Sequence, residues 1–319
     1  MTRLGAGMFV VGSVVALVVA VRLEGARRPW AHNHRGDRLA VVLGIAVVSG
    51  MTAADFAAVL ADALFGKGSV QLIQDSTLAI LVAVFAVFAA GLFDDYRHGR
   101  PRGLVEHARA LFRGHLSTGI VKLVAAVAAG TLVGAAIGLR GAHLLLAVGV
   151  MAGSANLWNL LDVVPGRAVK LYLPAIVPLV LRHPTSGFAL LSVAVTGGVL
   201  SVAWFDLRER AMLGDAGSNV LGFLVGIGLV GELTRAGLVV ALAAILVLHL
   251  VAETVTLSPS TFAPVTLVSS SNCMPCFTRL LCRRVPTSTS AIGTIRGRNS
   301  MTTTFAPSRF QTDPSSRPM

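Results

Sequence analysis

Long apolar stretches separated by short charged loops repeat along most of the chain. They fall at about 4–21, 39–60, 77–93, 117–138, 142–161, 187–205, 217–231 and 236–257. Such stretches are typical of helices that cross the hydrocarbon core of a bilayer. A ninth stretch, 171–181, is shorter and contains Pro174 and Pro178. The pattern predicts an all-α fold, a polytopic integral membrane helix bundle with about nine transmembrane helices.

Composition agrees with this pattern. Hydrophobic residues make up 54% of the 319 residues, charged residues make up 13%, and the mean hydropathy is +0.75. A soluble domain is far less apolar. The first stretch has a single Arg before it and no clear small-residue cleavage site after it, so we expect it to be retained as a span rather than removed as a signal peptide.

Basic residues are concentrated in every second loop. The basic residues follow the stretches at 4–21, 77–93, 142–161 and 187–205. In that order the loops hold Arg22, Arg27, Arg28, Arg35 and Arg38; Arg97, Arg100, Arg102, Arg109 and Arg113; Arg167 and Lys170; and Arg208 and Arg210. Each intervening loop holds one basic residue. Because Lys and Arg are retained in cytoplasmic loops, we expect the N-terminus outside and the basic loops inside, provided that 171–181 also crosses. The net charge of +12 then needs no nucleic-acid partner.

The chain changes character after residue 257. Residues 258–319 are rich in Ser, Thr and Pro and contain no long apolar run. Such a composition predicts a disordered cytoplasmic tail, so we divide the chain into a membrane domain, 1–257, and a tail, 258–319. An altered reading frame and a genuine regulatory tail would both explain the break.

Four carboxylates are expected at the cytoplasmic ends of the predicted spans. Asp94 and Asp95 end the third span, Asp162 ends the fifth, and Asp215 opens the eighth between Gly214 and Gly217. Carboxylates gathered at a membrane edge need a cation, and oxygen ligands of this kind suit Mg²⁺ bound together with phosphates. Two plainer alternatives remain: the acids form salt bridges with the basic loops, and Asp215 is only a helix N-cap.

Three segments carry a resemblance to a known family. They are GLFDDYRHG at 91–99, NLWNLLDVVPG at 156–166 and AMLGDAGSNVLGFLVG at 211–226, the last being the most specific. In order and position they resemble the polyprenyl-phosphate N-acetylhexosamine-1-phosphate transferases of glycosyltransferase family 4, which include phospho-N-acetylmuramoyl-pentapeptide transferase. The resemblance covers about 4–257. Further matches are Asn33, Arg35, Gly36, Thr118, Gly119 and Lys122.

The resemblance implies a reaction at the cytoplasmic face of the plasma membrane. A UDP-linked N-acetylhexosamine would transfer its sugar 1-phosphate to polyprenyl phosphate, with Mg²⁺ as cofactor and UMP released, in cell-wall or surface-glycan synthesis. Besides these substrates, it implies contact with membrane lipids and a possible homodimer.

The resemblance also assigns roles to residues. Asp215 would ligate Mg²⁺, Asp94 or Asp95 would hold or deprotonate the lipid phosphate, and Asp162 would act beside them at the nucleotide. The remaining substrate-binding residues would be Lys122, Asn159, Gly214 and Ser218. Arg167 and Lys170 are not part of the family pattern; they are further substrate-binding candidates that could bind a different phosphate group, or they indicate that the usual nucleotide pose has been lost.

The chain departs from the family in two places. The family pattern Asp-Gly-x-Asp-Gly is here Asp162, Val163, Val164, Pro165 and Gly166, so proline replaces the second carboxylate. The family's late His-rich loop has no counterpart. These departures leave a second hypothesis, a catalytically impaired descendant that binds polyprenyl phosphate or nucleotide. A transporter is a third class, indicated only by the number of spans and by the broken helix.

Overall fold

A computed structural model describes residues 3–26, 29–32, 37–65, 75–97 and 117–254. Within these residues it contains the helices α1 (Arg3–Leu23), α2 (Leu43–Phe65), α3 (Asp75–Tyr96), α4 (Thr118–Ala136), α5 (Gly141–Leu161), α6 (Arg167–Arg182), α7 (Gly187–Leu207), α8 (Gly214–Glu232) and α9 (Arg235–Thr254). Each predicted stretch corresponds to one of these helices, so the predicted all-α membrane bundle is confirmed. The predicted tail, 258–319, lies outside the described residues.

Seven of the helices in the described ranges are long and apolar enough to cross a membrane. The other two are α6, which has 16 residues and contains both prolines of the ninth stretch, and α9, whose apolar part is Arg235–Val251. The ends of α6 nevertheless lie at opposite ends of the bundle. Its first turn follows Gly166, whose backbone N–H donates to Asp206 near the end of α7, while Arg182 at its other end lies 3.6 Å from Glu232, the last residue of α8. α6 therefore runs alongside α8 over most of its length.

α8 is the central helix of the bundle. Of the apolar stretch of α8, 78% is buried inside the protein, whereas 28% of the corresponding stretches of α1 and α4 is buried. Small residues allow this enclosure, because helices in a membrane approach closely where side chains are absent. A Cβ added at Gly91 of α3 would lie 2.7 Å from the Cα of Ala216, and one added at Gly222 of α8 would lie 2.8 Å from the carbonyl carbon of Ser154 in α5.

A small sheet closes one end of the bundle, and the sequence did not predict it. Strands β1 (Trp30–His32) and β2 (Arg38–Val41) pair antiparallel, and β2 pairs parallel with β3 (Ala211–Met212). The predicted start of the second span at 39 is wrong, because 38–41 is a strand and α2 begins at Leu43. The N–H of Gly44 then donates to the carbonyl of Leu213 at 3.2 Å. The sheet thus fixes the segment that leads directly into α8.

Candidate active site

Lys122 is the centre of a charged cluster at the sheet-covered end of the bundle. Its Nζ lies 2.5 Å from Oδ2 of Asp94 and 2.5 Å from Oδ2 of Asp215. Asn159 completes the cluster: with its amide oriented to suit both neighbours, its nitrogen donates to Asp215 Oδ1 at 2.6 Å and its oxygen accepts from Lys122 Nζ at 3.2 Å. Four elements, α3, α4, α5 and α8, therefore meet around one ammonium group.

The first turn of α4 positions Lys122. Ser117 precedes the helix in extended conformation, and its hydroxyl accepts from the N–H of Ile120, as expected of an N-cap. The side chain of Thr118 in the same turn hydrogen-bonds Asp94. The cluster is only partly enclosed, since the side chains of Lys122 and Asp94 are each 17% exposed. The cluster is therefore in contact with solvent.

Asp95 has a different position from its neighbour Asp94. Its two carboxylate oxygens accept from the N–H groups of Asp215 and Ala216, both at 2.9 Å. These N–H groups belong to the first turn of α8, where they have no partner within the helix, and the helix dipole favours an anion there. Gly91, one turn before Asp95, allows the two backbones to approach closely enough for these bonds. Asp95 therefore anchors the start of α8.

The first turn of α8 presents Asp215 to the cluster. The helix N-cap is Leu213, which makes no side-chain cap bond, so the alternative that Asp215 is only an N-cap does not hold. Gly214 adopts φ +70°, in the left-handed region that favours glycine, and a Cβ there would lie 2.9 Å from Oδ2 of Asp95. Ser218 is fully buried and donates to the Gly214 carbonyl at 2.8 Å, an internal bond of the helix.

Asp162 lies beside the cluster and forms a second acidic group with Asp206. Asp162 ends α5 and accepts a hydrogen bond from the backbone of Gly214, while Oδ2 of Asp206 accepts from the N–H of Gly166 at 2.7 Å. Within the described part of the chain, Oδ1 of each is buried without a hydrogen-bond partner. Leaving such an acceptor unsatisfied costs about 1–3 kcal/mol.

The surroundings of Asp162 favour its protonated form. Burial raises the pKa of Asp162 well above the usual carboxyl range, and the neighbouring charges of Asp206, Asp215 and Asp95 raise it further. The hydrogen bond from Gly214 acts in the opposite direction. Burial disfavours the charged form, and like charges close by disfavour it again.

Arg167 and Lys170 lie on the first turn of α6, outside the Lys122 cluster. Lys170 is exposed, Arg167 is half-buried, and the charge of Lys170 acts on Asp206. Gly166, which precedes them, has φ +79° and so allows the chain to turn sharply into α6. The three matches in the first cytoplasmic loop, Asn33, Arg35 and Gly36, lie outside the described residues.

The donor set suits a hard cation that also binds phosphate. Among the described residues, no three acidic, His or Cys side chains are arranged to hold a metal ion by themselves. Asp95 uses both oxygens on the backbone, which leaves Asp94 and Asp215, already joined through one cation, the ammonium of Lys122. Mg²⁺ is commonly bound by one or two carboxylates plus substrate phosphates and waters, so the residues present fit Mg²⁺ in that form.

Sequence reasoning missed Asp206, although the rule that selected the other acids also selects it. The rule was an acidic residue at the cytoplasmic end of a predicted span, and Asp206 directly follows the span predicted at 187–205. It is completely buried. Asp55 was missed as well; it is buried within α2, and both of its oxygens have no hydrogen-bond partner in the described ranges.

Comparison with known proteins gives the same family as the sequence motifs. Residues 77–232, which run from α3 to the end of α8 and include both acidic groups, match the model of Glycosyl transferase family 4. A curated relative, phospho-N-acetylmuramoyl-pentapeptide-transferase of Thermotoga neapolitana, is 27% identical over 153 residues, which cover 46% of this chain and 51% of that protein. The chain thus spans about half the length of this relative. The segment that contains the charged cluster is thus similar to glycosyl transferase family 4.

Proposed function

We propose that this protein transfers an N-acetylhexosamine 1-phosphate from a UDP-sugar to polyprenyl phosphate. The observation that carries the proposal is the cluster around Lys122, where two carboxylates and one amide from separate helices meet a single cation. Phosphoryl transfer depends mainly on positioning and on stabilising charge, and a cluster of this kind provides both. The family and the named relative support the same class of reaction.

In the proposed reaction an oxygen of the lipid phosphate attacks the phosphorus that bears the sugar. The bond from that phosphorus to the bridging oxygen breaks, and its electron pair leaves with UMP. Lys122 would neutralise charge on the diphosphate, because its ammonium can turn from the carboxylates towards phosphate oxygens. Asp94 would accept the proton of a lipid phosphate that arrives as a monoanion, since both oxygens of Asp95 are engaged by α8.

The proposed cofactor is Mg²⁺, held by Asp215, with Asp94 beside it as the proton acceptor. When bound, it would supply positive charge that draws the two phosphate groups together and stabilises charge in the transition state. Asn159 would orient the carboxylate of Asp215, to which its amide donates at 2.6 Å. Asp95 would keep Asp215 in place through the first turn of α8.

The proposed setting is the cytoplasmic face of the plasma membrane, in cell-wall or surface-glycan precursor synthesis. The described Arg208 and Arg210 lie on the loop between α7 and β3, at the same end of the bundle as the cluster. An excess of basic residues at this end is typical of the cytoplasmic side. Surrounding membrane lipids and a homodimer complete the proposed partners.

A second candidate is a catalytically impaired protein that binds the same ligands. Two observations favour it. Pro165 stands where the family motif has its second carboxylate, and Lys122 already neutralises both Asp94 and Asp215. Such a protein would bind nucleotide or polyprenyl phosphate without forming product.

Membranes containing the protein test both candidates when they are incubated with polyprenyl phosphate, Mg²⁺ and a series of UDP-amino sugars labelled in the sugar. A transferase gives labelled lipid and UMP in equal amounts, and EDTA abolishes both. Retention of labelled nucleotide sugar without lipid product or UMP would instead establish the binding protein. Neither product nor retention with any of the sugars would reject both candidates.

A further inference from the structure

The turn between α5 and α6 lacks the carboxylate that the family motif places at its fourth position. Asp162 opens the turn, Pro165 occupies the position of the missing acid, and Gly166 closes it. A carboxylate from another helix nevertheless reaches this turn. Asp206, at the end of α7, accepts from the N–H of Gly166 at 2.7 Å.

The environment of Asp206 is that of a site rather than of a surface ion pair. Its side chain is completely buried, and its Oδ1 has no hydrogen-bond partner among the described residues. Asp162, 6% exposed, has the same feature, an Oδ1 that is buried and unpartnered in the described part of the chain. Buried polar atoms are nearly always paired, so two unpaired carboxyl oxygens beside one turn require an explanation.

The chemistry of the two acceptors selects what can satisfy them. An oxygen of a carboxyl group can accept a hydrogen bond whether or not the group is protonated, and an ionised carboxylate repels phosphate groups. Both acids therefore suit the N–H and hydroxyl groups of a ligand rather than its diphosphate. In the proposed function the phosphates bind at Lys122, which is paired with Asp94 and Asp215 and not with Asp162 or Asp206. A nucleotide sugar carries donor groups on both sides of its diphosphate, in the nucleoside and in the amino sugar.

We infer that Asp206 supplies the second carboxylate that Pro165 removed from the turn, and that Oδ1 of Asp206 and Oδ1 of Asp162 together accept hydrogen bonds from the donor groups of the nucleotide sugar. The inference rests on the proposed function for the identity of that ligand. It assigns a substrate-binding role to α7, which contributes no residue to the Lys122 cluster.

Direct binding to the purified, detergent-solubilised protein tests the inference without catalysis. Asp206→Asn is the informative variant, because the amide oxygen can still accept from Gly166 while an NH₂ group replaces the free oxygen. The probes are UMP and N-acetylglucosamine 1-phosphate, which separate the nucleoside from the sugar, and inorganic pyrophosphate. We expect affinity for one of the first two to fall by about tenfold, equivalent to about 1.4 kcal/mol, with pyrophosphate affinity not reduced.

A rescue variant and a matched control make the result specific. Pro165→Asp combined with Asp206→Asn restores two carboxylates at the turn, and it should recover affinity to within about threefold of the unchanged protein. Asp55→Asn makes the same change at a buried acid of α2, and it should leave binding of every probe unchanged. If Asp206→Asn does not fold, Asp162→Asn replaces the other unpartnered oxygen and should lower affinity for the same probe by about tenfold, and unchanged affinity there would overturn the inference.

Several outcomes would overturn the inference. These are unchanged affinity of Asp206→Asn for both UMP and the sugar phosphate, no recovery in the double variant, an equal loss in Asp55→Asn, and no binding of either probe by the unchanged protein. The outcome is independent of catalysis. Loss of UMP binding in Asp206→Asn supports the inference even if no labelled lipid is formed, whereas lipid product with unchanged binding would reject it and retain the transferase.

Discussion

Two acidic groups lie next to each other at one end of the bundle, and they differ in how their charges are satisfied. In the first, Asp94 and Asp215 share the ammonium of Lys122, and Asn159 bonds both Asp215 and Lys122. In the second, Asp162 and Asp206 each bond one backbone group and each retain a buried Oδ1 with no partner in the described ranges. The first group is satisfied within the protein, whereas the second is not.

This difference indicates what each group requires from a ligand. The paired group must exchange its internal cation for a metal ion and phosphates, so its ligand has to compete with Lys122. Asp162 and Asp206, in contrast, can accept hydrogen bonds from a ligand at their unpartnered oxygens without breaking a bond within the protein. Binding to the second group therefore offsets a desolvation cost that is already present in the free protein.

The largest effect is expected from Asp215→Asn, which breaks the first group at its most connected member. The variant loses the charge that holds Lys122 and would hold Mg²⁺, so the transfer rate should fall by about a thousandfold. The rate of labelled lipid formation measures this effect. Membrane insertion and thermal unfolding should remain close to those of the unchanged protein. The hydrogen bond that Asp95 accepts from Asp215 comes from the backbone N–H, so the substitution does not remove it. Full activity in this variant would remove Asp215 from the site.

Lys122→Met should have the next largest effect, a loss of about a hundredfold in rate. Without the ammonium, Asp94 and Asp215 are like charges at a partly enclosed position, and they need another cation. We therefore expect the Mg²⁺ concentration for half-maximal activity to decrease, because Lys122 no longer competes with the metal ion for Asp215. Lys122→Arg keeps the charge and serves as the control. An increased Mg²⁺ requirement in Lys122→Met would show that the lysine assists the metal instead of competing with it.

Asp95→Asn should affect stability more than chemistry. Asp95 bonds two N–H groups of α8 with its two oxygens, and an asparagine has only one oxygen with which to accept. Loss of a capping interaction costs about 1–2 kcal/mol, which thermal unfolding in detergent detects as a lower Tm. Asp94→Asn is the matched control, since it should reduce the rate more and the Tm less. A larger loss of rate in Asp95→Asn and a larger loss of Tm in Asp94→Asn would mean that Asp95 acts in the reaction and Asp94 stabilises α8.

The sequence predicted the spans and the first acidic group because both depend on local patterns. Apolar stretches of sufficient length predict helices, and acids at one membrane face meet wherever those helices are neighbours. The short strands at 30–32 and 38–41 were not predictable, because a strand of three or four residues in a charged loop has no periodicity to detect. The pairing of β2 with β3 depends on a contact across about 170 residues of chain.

The different roles of Asp94 and Asp95 could not be predicted from the sequence either. Two adjacent residues near the end of a helix point in different directions, and only the position of α8 decides which of them faces its first turn. Asp206 was hidden for another reason. The motif directed attention to the residues of the turn itself, whereas the carboxylate came from α7, 40 residues further along the chain.

The smallest effect concerns the second group and is a pH dependence of stability. The native pKa of Asp162 lies well above that of an unfolded carboxyl, so between these two values the folded state binds more protons than the unfolded state. Stability therefore falls as pH rises from about 4 through the native pKa, and it is fully present below about 4.

Asp162→Asn removes this titration while keeping an oxygen that can accept from Gly214. The Tm of the variant should consequently decrease less between about pH 4 and pH 8 than that of the unchanged protein, and the two should differ most at the alkaline end. The difference between the two profiles is the measurement, because the other acids titrate in both. Parallel profiles would mean that Asp162 is ionised in the folded protein. The second group would then be paired by a cation, and the contrast with the Lys122 cluster would disappear.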